Sequence, residues 1–157
     1  MTPLALDRLD GVLALNNAHA AELSLLDHDR LAGLVRQALW AAQVGDADGF
    51  LLLLDETAAY DSPNFRWFKE RHERFAYVDR VAVAPRARGL GLARRLYAGA
   101  FAAAVAAGQR VVAAEVNHIP PNPASDAFHA ALGFREVGQA AVGGGARTVR
   151  YLLRDLP

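Results

Sequence analysis

The chain has 157 residues, 53% hydrophobic and 22% charged, with 17 basic and 17 acidic side chains and a formal net charge of zero. That length fits one domain, residues 1–157, burying about two-thirds of its unfolded surface, and the neutral balance excludes nucleic acid or an anionic membrane as the main partner. The absence of cysteine removes disulfides, thiol nucleophiles and thiolate metal sites together.

Asp7 and Asp10 stand where a signal peptide would need basic residues, and no apolar run reaches the roughly 18 residues of a membrane span. A cytoplasmic protein is expected. In chain order, Gly11 to Leu15 reads as a short first strand, and Asn16-Asn17 as a cap for a helix over His19 to Leu25. Asp27 is expected to cap a second helix through Ala38, with Leu31, Leu34, Val35 and Ala38 at core spacing. Trp40 to Val44 and Gly49 to Leu54 flank Gly45-Asp46-Ala47-Asp48, a hairpin signal. Tyr60 to Arg71 reads as an aromatic loop. A strand follows from Phe75 to Ala84, then a helix to Ala107 ended by Gly108, a strand from Arg110 to Asn117, and a helix from Asn122-Pro123. Arg135 to Ala141 and Arg147 to Leu153 close the chain as a hairpin around Gly143-Gly144-Gly145. This order suits a mixed, mostly antiparallel α/β (α+β) sheet of six or seven strands with helices on both faces. The exposed edges of the last strands also suit pairing into a homodimer.

The most informative stretch is Arg86-Ala87-Arg88-Gly89-Leu90-Gly91-Leu92-Ala93, between the Phe75 to Ala84 strand and an alanine-rich helix. Glycines let the backbone approach a bulky anion, and the free N–H groups and dipole of the first helical turn favour one. The expected ligand is a phosphorylated cofactor. A nucleotide-hydrolase loop would need Gly-Lys-Ser/Thr, but Leu92 and Ala93 follow Gly91, and the only lysine is Lys69. A dinucleotide loop would need a small residue where Arg94 stands.

The remaining pattern, Arg-x-x-Gly-x-Gly, resembles the acyl-CoA pyrophosphate loop of the GCN5-related N-acetyltransferases. Three further segments carry the resemblance: Val81-Ala82-Val83-Ala84-Pro85 before the loop, Glu115-Val116-Asn117 after the helix, and Asn122-Pro123-Ala124-Ser125-Asp126-Ala127-Phe128-His129 running to Gly133-Phe134. The last is similar to the family's Asn-x-x-Ala-x-x-x-Tyr-x-x-x-Gly-Phe, with Ser125 at the alanine position and His129 in place of tyrosine. Leu15-Asn16-Asn17, Tyr60 to Phe65 and Pro120 to Pro123 resemble a bacterial branch of that family. The resemblance implies strands 4 and 5 splayed around acetyl-CoA, with Val81, Ala82, Val83, Arg88, Gly89, Leu90, Gly91, Leu92, Ala93 and Asn122 at the cofactor. It implies acetyl transfer to a small-molecule or peptide amine by direct attack.

Such a reaction needs a base, a donor at the thioester carbonyl and an acid for the thiolate. Glu115, in an apolar strand that should raise its pKa, is the candidate base; a structural ion pair with Arg80 or Arg110 is the other reading. His129 is the candidate acid, in its cationic form, against a surface pair with Asp126; Tyr97 and Tyr60 are the alternative acids. Asn122 caps its helix in either case. Arg86 and Arg88 are expected at phosphate, although a solvated helix face would also explain them. Tyr60, Asp61, Asn64, Phe65 and Asn117 are expected to line the acceptor side, with a satellite hydrophobic cluster as the other reading of the aromatic segment. His19, His28, His72 and His118 lack metal-ligand spacing, so no metal is expected. The rival function is a non-catalytic acyl-CoA-binding or interaction domain, a reading favoured by the His-for-Tyr change.

Overall fold

Phe50 to Leu54 are all fully buried, and a strand covered on both faces belongs at the centre of a sheet. The computed structural model, which describes residues 1–157, places it there. The strands are β1 (Thr2–Pro3), β2 (Trp40–Val44), β3 (Gly49–Asp55), β4 (Ala76–Val83), β5 (Val111–Ile119), β6 (Arg135–Val142) and β7 (Arg147–Asp155). They form one sheet in the order β1-β2-β3-β4-β5-β7-β6, antiparallel throughout except for β4 and β5. The helices are α1 (Asp10–Ala18), α2 (His28–Gln37), α3 (Pro63–Lys69), α4 (Leu92–Ala106) and α5 (Pro123–Ala131). One core joins α1, α2 and α3 to one sheet face through Val12, Leu31, Phe65 and Phe68; the other seats α4 on the opposite face through Leu92, Leu96, Tyr97 and Ala100.

The N-terminal expectations need correction. Residues 11–15 are helical, because Leu9, Val12, Leu15 and Asn16, all buried, repeat at helical spacing toward the core. Residues 19–25 form no helix. The side chains of Asn16 and Asn17 instead bond Ser24 and Leu26 of that connection, each at 3.0 Å. The Tyr60 to Arg71 segment also departs from a plain loop: Ser62 accepts from the Phe65 amide, Pro63 takes the first turn, and Phe65 and Phe68 bury one face of α3. The short β1 at Thr2–Pro3 was not expected; the remaining elements fall where the sequence places them, with Asp27 capping α2 at 2.8 Å and a left-handed Gly108 just beyond α4.

Two irregularities in β4 create the site. β4 pairs with β5 only at Ala76↔Val112 and Tyr77↔Ala113, after which the strands part. Against β3 the register jumps from Leu53↔Val78 to Leu52↔Arg80, leaving Asp79 unopposed. Such a bulge puts neighbouring side chains within reach of each other. Here Arg80 Nε donates to Asp79 Oδ2 at 2.7 Å, with both side chains 3% exposed.

Candidate active site

A cleft of about 890 Å³ opens where β4 and β5 part. Its walls are β4 at residues 78–83 and β5 at residues 114–117; the α1–α2 connection, the start of α3, α5 and the β6–β7 turn close the ends. Ala84 donates to Asp48 across the β2–β3 hairpin. Backbone direction alternates along a strand, so Ala82 also faces β3, and the N–H and C=O groups of Val81 and Val83 face the opened side. Ala82 itself is buried in the core.

Glu115 projects into this cleft from β5. Tyr77 O–H donates to its Oε2 at 2.7 Å and Asn64 Nδ2 to its Oε1 at 3.3 Å, while Tyr151, directly opposite on β7, donates to Asn64 Oδ1 at 2.9 Å. No cation lies within 4.0 Å of Glu115: Arg80 is held by Asp79, Asn16 and Ser24, so the structural ion pair is not formed. Burial raises the Glu115 pKa to about 8, against the lowering effect of the Tyr77 and Asn64 donors and with help from the nearby Asp79 charge.

His129 differs from expectation in setting. It is 6% exposed, and Asp126 is drawn away to Arg150 at 2.8 Å, so no surface His–Asp pair exists. Its Nδ1 lies 2.8 Å from the Ser125 carbonyl oxygen and therefore carries the hydrogen; Nε2 then accepts from Tyr97 O–H at 2.7 Å. Burial lowers the His129 pKa and raises that of Tyr97. The imidazole is thus neutral at pH 7, and the cationic acid expected from sequence is not the resting form. Asn122 caps α5, accepting from the Ser125 amide.

The glycine loop leads into α4. The amides of Gly89, Leu90, Gly91, Leu92, Ala93 and Arg94 donate to no acceptor in the chain, and no side chain caps the helix. Gly89 and Gly91 have φ of +80° and +73°, and a Cβ on either would meet nothing within 4 Å, so the loop is unobstructed at both glycines. Six free donors on an unobstructed loop fit a phosphate-bearing group such as acetyl-CoA. Arg88 lines the cleft beside them. Arg86 does not: it bonds Asp48 at 3.0 Å and the Asp46 carbonyl at 3.2 Å, bracing the β2–β3 turn. On the acceptor side, Tyr60, Asp61, Asn64 and Asn117 line the cleft, but Phe65 is 1% exposed and packs on Phe75 and Tyr77 in the core. Tyr77, Tyr151 and Asp79 were missed from sequence. The parity of Tyr77 and the register of Tyr151 with Glu115 would reveal two of them only once strand pairing is known.

A parted pair of parallel strands, uncapped amides at its mouth and a carboxyl tuned toward neutrality together describe an acyl-transfer enzyme that uses a phosphorylated acyl carrier. The sequence model of the acetyltransferase (GNAT) family matches residues 17–134, and the chain belongs to that family, with acetyl-CoA as cosubstrate. No curated protein matches it by sequence. Among solved structures, the ribosomal-protein-alanine N-acetyltransferase from Brucella melitensis aligns with a TM-score of 0.72 at 23% identity, over 99% of this chain and 98% of that one. Ard1 from Thermoplasma volcanium aligns at 0.78 and 13%, over 99% and 96%. The yncA protein from Salmonella typhimurium, solved with its cofactor acetyl-CoA, aligns at 0.72 and 19%, over 99% and 92%. These likenesses establish a shared fold.

Proposed function

We propose that the chain, acting as one catalytic domain, transfers an acetyl group to a small-molecule or peptide amine with Glu115 as general base. The observation that carries this reading is a cleft-facing carboxyl held by two neutral donors and no cation, with a pKa near 8. A structural carboxylate is stabilised as the anion; this one is kept basic enough to take a proton from an ammonium.

When bound, acetyl-CoA supplies an activated thioester carbonyl. Arg88 and the amides of residues 89–94 would hold its phosphates, and the open backbone groups of Val81 and Val83 its amide-bearing arm. Glu115 accepts the amine proton directly or through water. Tyr97 O–H, which donates to neutral His129 in the resting site, would have to turn from Nε2 to the departing sulfur to serve as the donor there. Its raised pKa makes complete transfer costly, so its contribution is chiefly a hydrogen bond to developing negative charge.

The test is Glu115→Gln, which keeps shape and removes the base. Thiol release from acetyl-CoA in the presence of amines is expected to fall on the order of 10²-fold, while acetyl-CoA affinity by calorimetry stays unchanged. A variant that turns over normally would remove Glu115 from the chemistry.

A further inference from the structure

One cation in the cleft has no part in the chemistry above. Arg147 opens β7, is half-buried and lines the cleft. On the same strand Arg150 has Asp126 at 2.8 Å and Glu136 at 3.1 Å; of the other arginines lining the cleft, Arg88, without an acid, is the one assigned above to the cofactor phosphates, Arg80 has Asp79 at 2.7 Å, and Arg30 lies 4.0 Å from Asp61. Arg147 has no carboxylate within that distance and makes no side-chain hydrogen bond. A guanidinium cannot shed its charge, so a half-buried one without a partner is suited to an anionic ligand.

The adjoining turn adds donors. Gly143, Gly144 and Gly145 have φ of +63°, +66° and +90°, and a Cβ on any of them would meet nothing within 4 Å. The only hydrogen bond closing the turn runs from the Ala146 amide to the Gly143 carbonyl, so the Gly144 and Gly145 amides are free. Successive free amides in a turn offer an anion donors. Gly143 and Arg147 line the same cleft as Glu115.

The spacing bounds the ligand. Side chains alternate along β7, so Arg147, Val149 and Tyr151 share a face, and Tyr151 and Val149 stand opposite Glu115 and Asn117. Arg147 is therefore on the face of Glu115, about 13 Å along the strand from its partner Tyr151. The arginine side chain reaches part of the way back, leaving a gap of roughly two to three extended residues.

We propose that the acceptor is an amine carrying an anionic group, a short peptide with a free carboxylate, whose anion is held by Arg147 and the Gly143–Gly145 turn while its amine lies at Glu115. The lining also carries the acid Glu22 from the α1–α2 connection, so a ligand with both signs matches the charges of the cleft where a polyamine would leave Arg147 unpaired. The proposal rests on the reading of Glu115 as the reacting end.

The experiment compares triglycine, triglycinamide and spermidine as acceptors in thiol release from acetyl-CoA, with the parent and with Arg147→Gln. Triglycine is expected to exceed triglycinamide by about tenfold or more in kcat/KM, as loss of a charge-assisted contact implies, and Arg147→Gln to erase that difference. Equal use of the two peptides, preference for spermidine, no turnover of either peptide, or a preference that survives Arg147→Gln overturns the proposal. An NMR titration of the Arg147 Nε–Hε resonance gives an answer independent of turnover. A shift with triglycine and none with triglycinamide supports the anion site even if Glu115→Gln proves fully active; no shift with triglycine overturns it.

Discussion

Glu115 is set by opposed effects: burial favours its neutral form, and the Tyr77 hydroxyl and Asn64 amide favour its anion. Activity that depends on the anion should climb with pH and level off above about 8, falling tenfold per unit on the acid side. Tyr77→Phe removes the shorter of the two donors, so the limb should move to higher pH, by about half a unit to one unit. A profile that stays in place would separate Tyr77 from the tuning. The same group links folding to pH. Its folded pKa lies above the unfolded value, so the native state binds the extra proton between about 4.5 and 8, and stability declines as pH rises through that window. Each unit of displacement is worth about 1.4 kcal/mol. Thermal melts of Glu115→Gln should therefore lack this decline. His129 runs the other way: its lowered pKa favours folding above the unfolded value and loses that contribution on acidification. His129→Phe strands the buried Tyr97 hydroxyl, at a cost of about 1–3 kcal/mol read by denaturant titration.

Elements show where the sequence was legible. The glycine loop, α4 and the β2–β3 hairpin were readable because local chemistry decides them: left-handed glycines, alanine-rich periodicity and a four-residue turn. Gly91→Val puts a β-branched residue at φ of +73°, which distorts the loop even though the space in front is open. Acetyl-CoA affinity should drop about tenfold or more by calorimetry. α1 was not readable, since Val12 and Leu15 fit a strand as well as a helix over five residues and only packing against the core decides. α3 carried a signal in Ser62-Pro63 that the surrounding aromatics obscured. This helix supplies Asn64 to Glu115 and packs through Trp67 on Tyr151, with ring centroids 4.3 Å apart. Gly138 on β6 leaves room for Trp67, and a Cβ there would collide with the indole. Gly138→Ala should destabilise by about 1–3 kcal/mol in thermal or chemical melts and disturb the Tyr151–Asn64 bond.

At the scale of the whole molecule, the site is built from long-range pairings that no local motif records. Glu115 meets a tyrosine 38 residues earlier and an asparagine 51 residues earlier, and that asparagine is held by a tyrosine 87 residues later. The Asp79 bulge has the same character: nothing in Val78-Asp79-Arg80 announces it, and it follows from registering β4 against β3. Through it, Arg80 bonds Asn16 at 2.9 Å and Ser24 at 3.2 Å, tying the α1–α2 connection to the strand that lines the cleft. The family resemblance points to a cofactor half whose proposed donors lie within one continuous segment. The acceptor half is assembled from four separate ones, and Phe65 was misplaced there for that reason. The proposed function requires that acetyl-CoA dock in the opening between β4 and β5, against the free amides at the start of α4. Amide-resolved hydrogen exchange with and without acetyl-CoA tests it most directly. Exchange should slow at residues 89–94 and at Val81 and Val83, with the outer edge of β6 unaffected. Unchanged exchange at those amides under saturating acetyl-CoA, or protection confined to another face, would contradict it.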